Sequence, residues 1–121
     1  MRSVVSVKKG VLRLGVSLAV LLMGMSANVQ AADVDADAAN ALAKRNDCFK
    51  CHSVEKTKKG PSYKKIAAKY KGKADGEEKL IKNFTTGPKV KLEDGTEEDH
   101  KIIDTKDMKE LKNLAQWILS K

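Results

Sequence analysis

Cys48-Phe49-Lys50-Cys51-His52 is the stretch that decides this chain. C-x-x-C-H is the attachment pattern of c-type haem. Two thiols three positions apart each add to one vinyl group of the macrocycle. The histidine that follows then sits under the iron and supplies an imidazole nitrogen. The 121-residue chain holds two cysteines and two histidines, so the motif takes both thiols and one imidazole. A bare C-x-x-C also occurs in structural zinc sites and thioredoxin-like redox pairs. Zinc needs four ligands, and beyond the motif the chain has one other histidine, His100, and no second cysteine pair, which argues against zinc. A thioredoxin-like domain needs a βαβ pattern, and no Val-, Ile- or Thr-rich run flanks the motif.

The N-terminus supports the same reading. Arg2, Lys8, Lys9 and Arg13 form a basic n-region, Leu14 to Met25 an apolar h-region, and Val29-Gln30-Ala31 a small-residue cleavage site. Residues 1–31 are therefore expected to be a signal peptide and residues 32–121 the mature domain, exported to the bacterial periplasm, where c-type haem is attached. The alternative is a retained anchor. The apolar stretch is short for a bilayer span of about 20 residues, so no stable membrane insertion is expected. A domain of roughly 90 residues builds only a marginal core alone, and a large apolar disc at its centre meets that need.

The formal net charge is +8, but the signal region carries four of the basic residues and no acid. Lysines are dense just after the motif, from Lys50 and Lys56 to Lys71 and Lys73, whereas acids gather at Glu93-Asp94 and Glu97-Glu98-Asp99. A basic rim steers acidic partners, although charge runs also serve solubility alone. The basic residues are nearly all lysine and export removes the chain from nucleic acid, so no nucleic-acid binding is expected.

Along the mature chain the pattern predicts an all-α domain of about four short helices and no strand. Asp35 or Asp37 caps the first, which runs to about Asn46. Pro61 opens the second, with Tyr63, Ile66, Ala67 and Tyr70 at i, i+3, i+4, i+7, and Gly72 ends it. Asp75 with Glu78 forms a capping box for a third, whose buried side is Leu80, Ile81 and Phe84, stopped at Gly87-Pro88. Residues 89–103 form the longest irregular stretch. Asp107 caps the last helix, with Leu111, Leu114, Ala115 and Ile118 on its apolar face and Trp117 beside it.

With C-x-x-C-H, Gly60-Pro61-Ser62-Tyr63 and the closing Leu114-Ala115-Gln116-Trp117-Ile118-Leu119 in that order, the mature chain resembles the small bacterial class I cytochromes c, single-haem electron carriers. The resemblance implies the cytochrome c fold, in which Leu42 of the first helix meets Leu114 and Ile118 of the last beside one covalent haem c. It implies that the Pro61 carbonyl accepts a hydrogen bond from the His52 ring nitrogen facing away from iron, which fixes the imidazole. Tyr63, Ile66, Tyr70, Leu80, Ile81 and Phe84 are expected to line the pocket, with Phe49 and Lys50 facing outward. Family members place a methionine as second axial ligand in the loop before the last helix. Here the mature chain's one methionine, Met108, lies on that helix. Counting back from Trp117, the family's ligand position falls at Lys101, next to His100. His100 is therefore the expected distal ligand, with Met108 and an open or lysine-bound site as alternatives. Glu97, Glu98 and Asp99 would lie close to it.

The expected function is transfer of single electrons between redox proteins that present acidic docking surfaces, without enzymatic activity. No nucleophile with its base is visible, and a six-coordinate iron leaves no place for substrate. The competing readings are a haem-based sensor or small-ligand binder and a small haem subunit of a larger oxidoreductase.

Overall fold

The computed structural model describes residues 33–121, which lie in one compact unit. The expected signal peptide and its cleavage site fall outside these residues. Among the described residues, no helix is long and apolar enough to cross a membrane.

Among the described residues Asp35 starts the first helix, α1 (Ala36–Arg45), its carboxylate accepting from the Ala38 N–H at 2.9 Å. Asn46 closes α1, and Asp47 turns the backbone into the left-handed region at φ 58. Aspartate tolerates that conformation better than most residues do. The turn leads directly into α2 (Cys48–Cys51), a single helical turn. Among the described residues α2 is additional to the four helices expected, because four residues are too few to show a period.

α3 (Tyr63–Tyr70) begins two residues later than Pro61 suggested, since Ser62 is the cap and its hydroxyl accepts from the Lys65 N–H at 3.1 Å. α4 (Gly76–Thr86) lacks the predicted capping box. Asp75 makes no side-chain cap and instead pairs with Lys79 at 2.7 Å. Gly87 ends α4 in the left-handed conformation.

The segment expected to be irregular contains an antiparallel hairpin. β1 (Lys89–Lys91) pairs with β2 (Glu97–Asp99) in the register Lys89↔Asp99, Val90↔Glu98, Lys91↔Glu97. The Asp94-Gly95 turn, with Gly95 at φ +87, makes the reversal. Opposite charges across the register favour it, and Lys89 Nζ reaches Asp99 at 3.2 Å.

Asp107 caps α5 (Met108–Leu119) by accepting from the Lys109 N–H at 2.8 Å. α5 is the hub against which α1, α3 and α4 pack. Leu111, Leu114, Ala115, Trp117 and Ile118 supply its buried stripe, and they share one core cluster with Leu42, Tyr63, Leu80 and Phe84. The expected meeting of Leu42 with Leu114 and Ile118 falls within that cluster. Among the described residues the layout is helical apart from the β1–β2 hairpin.

Candidate functional site

The one-turn helix α2 places Cys48 and Cys51 three residues apart, on one face. Both are half-buried, and both line a cavity of about 640 Å³. That lies within the roughly 300–1,000 Å³ typical of cofactor sites.

His52 follows directly and lines the same cavity. The loop beyond it folds back through Gly60 N–H to Cys51 O at 2.8 Å, Tyr63 N–H to Ser53 O at 2.9 Å and Lys64 N–H to Val54 O at 3.1 Å. This closure carries the Pro61 carbonyl to 2.6 Å from His52 Nδ1. A carbonyl only accepts, so Nδ1 is the protonated nitrogen and Nε2 keeps its lone pair. Gly60 is needed for the approach: a Cβ there would stand 2.9 Å from His52 Cε1. Burial pushes the His52 pKa down, opposed by the Pro61 hydrogen bond, so the ring is held as neutral imidazole, the ligating form. Tyr63 stacks on His52 at 5.4 Å between ring centres and meets Trp117 edge-on at 5.6 Å.

Ile66 and Tyr70 from α3, Leu80 and Phe84 from α4, and Leu114 and Ile118 from α5 form the cavity's apolar wall. Ile81, expected with them, is partly buried but packs outside the lining. Phe49 does not face outward as expected. It packs against the core cluster, with its ring edge-on to Tyr63 at 6.0 Å.

His100 follows β2 and faces the cavity opposite His52, with 6.3 Å between ring centres and 46° between ring planes. Its Nδ1 hydrogen-bonds the Lys101 carbonyl at 2.9 Å, which leaves Nε2 as the open nitrogen. Glu98 and Asp99 border the cavity beside His100, as expected, but the His100 ring bonds to Lys101 O and not to them, and Asp99 pairs with Lys89. Met108 opens α5 at 50% exposure and is not part of the cavity wall.

Val90 and Leu92 also line the cavity, and sequence reasoning missed them. Their alternation before an Asp-Gly turn was the available hairpin signal. The charged residues at the cavity are mixed, Lys65, Lys69, Lys91 and Lys101 against Asp47, Glu98 and Asp99. Part of the basic run after the motif is also locally paired, Lys50 with Asp47 at 3.2 Å and Lys64 with Glu55 at 2.6 Å.

An apolar slot, two thiols on one face of a helical turn, and a neutral imidazole held by its far nitrogen suit a covalently bound haem. Comparison with known proteins agrees. The family model for cytochrome c matches residues 36–121. Cytochrome c-552 of Nitrosomonas europaea is 36% identical over 100 residues, covering 74% of this chain and 80% of that protein. Cytochrome c-551 of Allochromatium vinosum is 44% identical over 46 residues, which is 38% of this chain and 49% of that protein. The crystal structure of class 1 cytochrome MtoD from Sideroxydans lithotrophicus ES-1 is 58% identical, with a TM-score of 0.70, covering 73% of this chain and 97% of that one. The chain thus belongs to the cytochrome c family, as a class I monohaem electron carrier with one covalently attached haem c.

Proposed function

We propose that this cytochrome is an exported, periplasmic carrier in which Cys48 and Cys51 would hold the haem covalently and His52 and His100 would bind its iron. The haem supplies an iron that accepts and returns one electron. The observation that carries the reading is the 6.3 Å between the His52 and His100 ring centres. A metal–imidazole bond is about 2.0–2.1 Å, and a ring nitrogen lies about 1.1 Å from its ring centre. Two imidazoles on opposite sides of one metal therefore stand roughly 6.2–6.4 Å apart, which matches the pair in this chain.

Each ring carries the hydrogen bond such a role needs. Pro61 O takes the His52 Nδ1 proton and Lys101 O that of His100, which turns each Nε2 inward and strengthens it as a donor. Ile66, Leu80, Phe84, Leu114 and Ile118 keep water from the wall between them. Tyr63 backs the His52 ring and limits its rotation. Tyr70 closes the same wall from the end of α3. With His52 and His100 both bound to it, the iron would offer no position for a substrate, which supports a carrier without enzymatic activity.

Exchange of thioether for imidazole lowers the potential of haem iron. The account therefore expects a midpoint below that of His/Met-ligated relatives, and a ferric spectrum without a sulfur-to-iron charge-transfer band. A redox titration with a near-infrared spectrum tests both. A potential as high as those relatives, together with the sulfur band, makes Met108 the ligand instead. Partners are redox proteins with acidic docking surfaces, a reading supported by the lysines from Lys50 to Lys73. Export rests on the N-terminal basic and apolar pattern of residues 1–31.

A further inference from the structure

We propose that Asn46 is a positioning residue for the distal face, latching the His100 loop to the helix that leads into the haem-attachment motif. The inference rests on the reading of His100 as distal ligand.

Three backbone N–H groups hold residues 100–104. His100 N–H donates to Pro88 O and Ile103 N–H to Phe84 O, both at 2.9 Å. The third, Asp104 N–H, donates to the side-chain oxygen of Asn46 at 2.9 Å. Asn46 returns the contact, its Nδ2 donating to Asp104 Oδ1 at 3.0 Å and to Leu42 O at 3.0 Å. Both amide protons and the amide oxygen are thus used, at a residue only 2% exposed.

Burial gives this contact its weight. If the loop swings away, Asn46 loses two of its three hydrogen bonds where little water can replace them, and an unmet buried polar group is costly. Arg45 adds an exposed pairing, its Nε 3.0 Å from Asp104 Oδ2, of the kind that contributes little alone. In sequence, Asn46 stands two residues before Cys48 and Asp104 four residues after His100. The latch therefore joins the segment entering the proximal attachment to the segment leaving the distal ligand. Departure of His100 from the cavity requires Asp104 to leave Asn46, so the pair restrains access by competing small ligands.

The test uses the haem-loaded protein and measures carbon monoxide binding to the reduced form, with hydrogen exchange of the residue 100–104 amides as a second readout. Asp104 is exposed, so Asp104→Ala removes the acceptor without cutting into the core. It should speed carbon monoxide binding roughly tenfold or more and deprotect the Ile103 and Asp104 amides. Asp104→Asn keeps an oxygen acceptor for Asn46 and should stay near the parent rate. Asp35→Ala removes the cap at the far end of α1. It should weaken the protein toward urea without changing the carbon monoxide rate, which separates positioning from general destabilisation. An Asp104→Ala rate equal to the parent's, with His100→Ala fast, overturns the latch while leaving His100 as ligand. If His100→Ala changes neither carbon monoxide binding nor the ferric spectrum, the ligand reading has failed and the latch falls with it.

Discussion

Gly87 sits at φ +56, and a Cβ there would lie 2.8 Å from the His100 carbonyl oxygen and 2.8 Å from Ile102 Cγ1. Both the backbone conformation and the close approach demand glycine. Gly87→Ala should destabilise the protein by about 1–3 kcal/mol, read as a lower urea midpoint with unchanged slope. An unchanged midpoint would mean that the strand beyond Gly87 yields freely. At this scale the proximal side was plain in the sequence. Cys48, Cys51 and His52 are fixed by spacing alone, and local backbone hydrogen bonds carry Pro61 to His52. The distal side was harder. His100 emerged only by counting back from Trp117, and the Asn46–Asp104 contact joins residues 58 apart in the chain, a separation that no local pattern reports.

Among the elements, α5 ties the molecule together, because α1, α3 and α4 all pack on its buried stripe. Leu114 is 0% exposed and also lines the cavity. Leu114→Ala should cost about 2–5 kcal/mol, seen in thermal or urea unfolding of the haem-loaded protein. A loss below about 1 kcal/mol would show that haem, rather than α5, carries the packing there. The long helices were legible from their apolar period and caps, as with Asp35 and Asp107. What escaped were short pieces and competing contacts. Strands of three residues give too little alternation to separate from loop. Asp75 had the right spacing from Glu78 for a capping box, but the Lys79 ammonium took its carboxylate instead. The place of Phe49 between the cysteines points it outward, whereas in the fold it packs against the core with its ring edge-on to Tyr63.

Taken as a whole, the molecule depends on acid-side ionisation in a predictable direction. Asp104, Asp75 and Asp94 are all held below the ordinary carboxylate range, first by hydrogen bonds from Arg45, Lys79 and Thr96 respectively. A carboxyl whose folded pKa is depressed stabilises the fold above its unfolded pKa of about 3.9. That contribution disappears as pH falls through the folded value. The contribution of these three carboxylates to stability toward urea should therefore be constant from neutral pH down to about pH 5 and decline below about pH 4; a rise in stability across that lower range would contradict the assignment. All three groups lie at the surface, so the decline should be gradual. The central claim, that His52 and His100 together hold the iron, is tested most directly by low-temperature electron paramagnetic resonance of the oxidised protein beside its His100→Ala variant. The account predicts a low-spin bis-imidazole signal in the parent that is lost in the variant. The same signal in both proteins would contradict it.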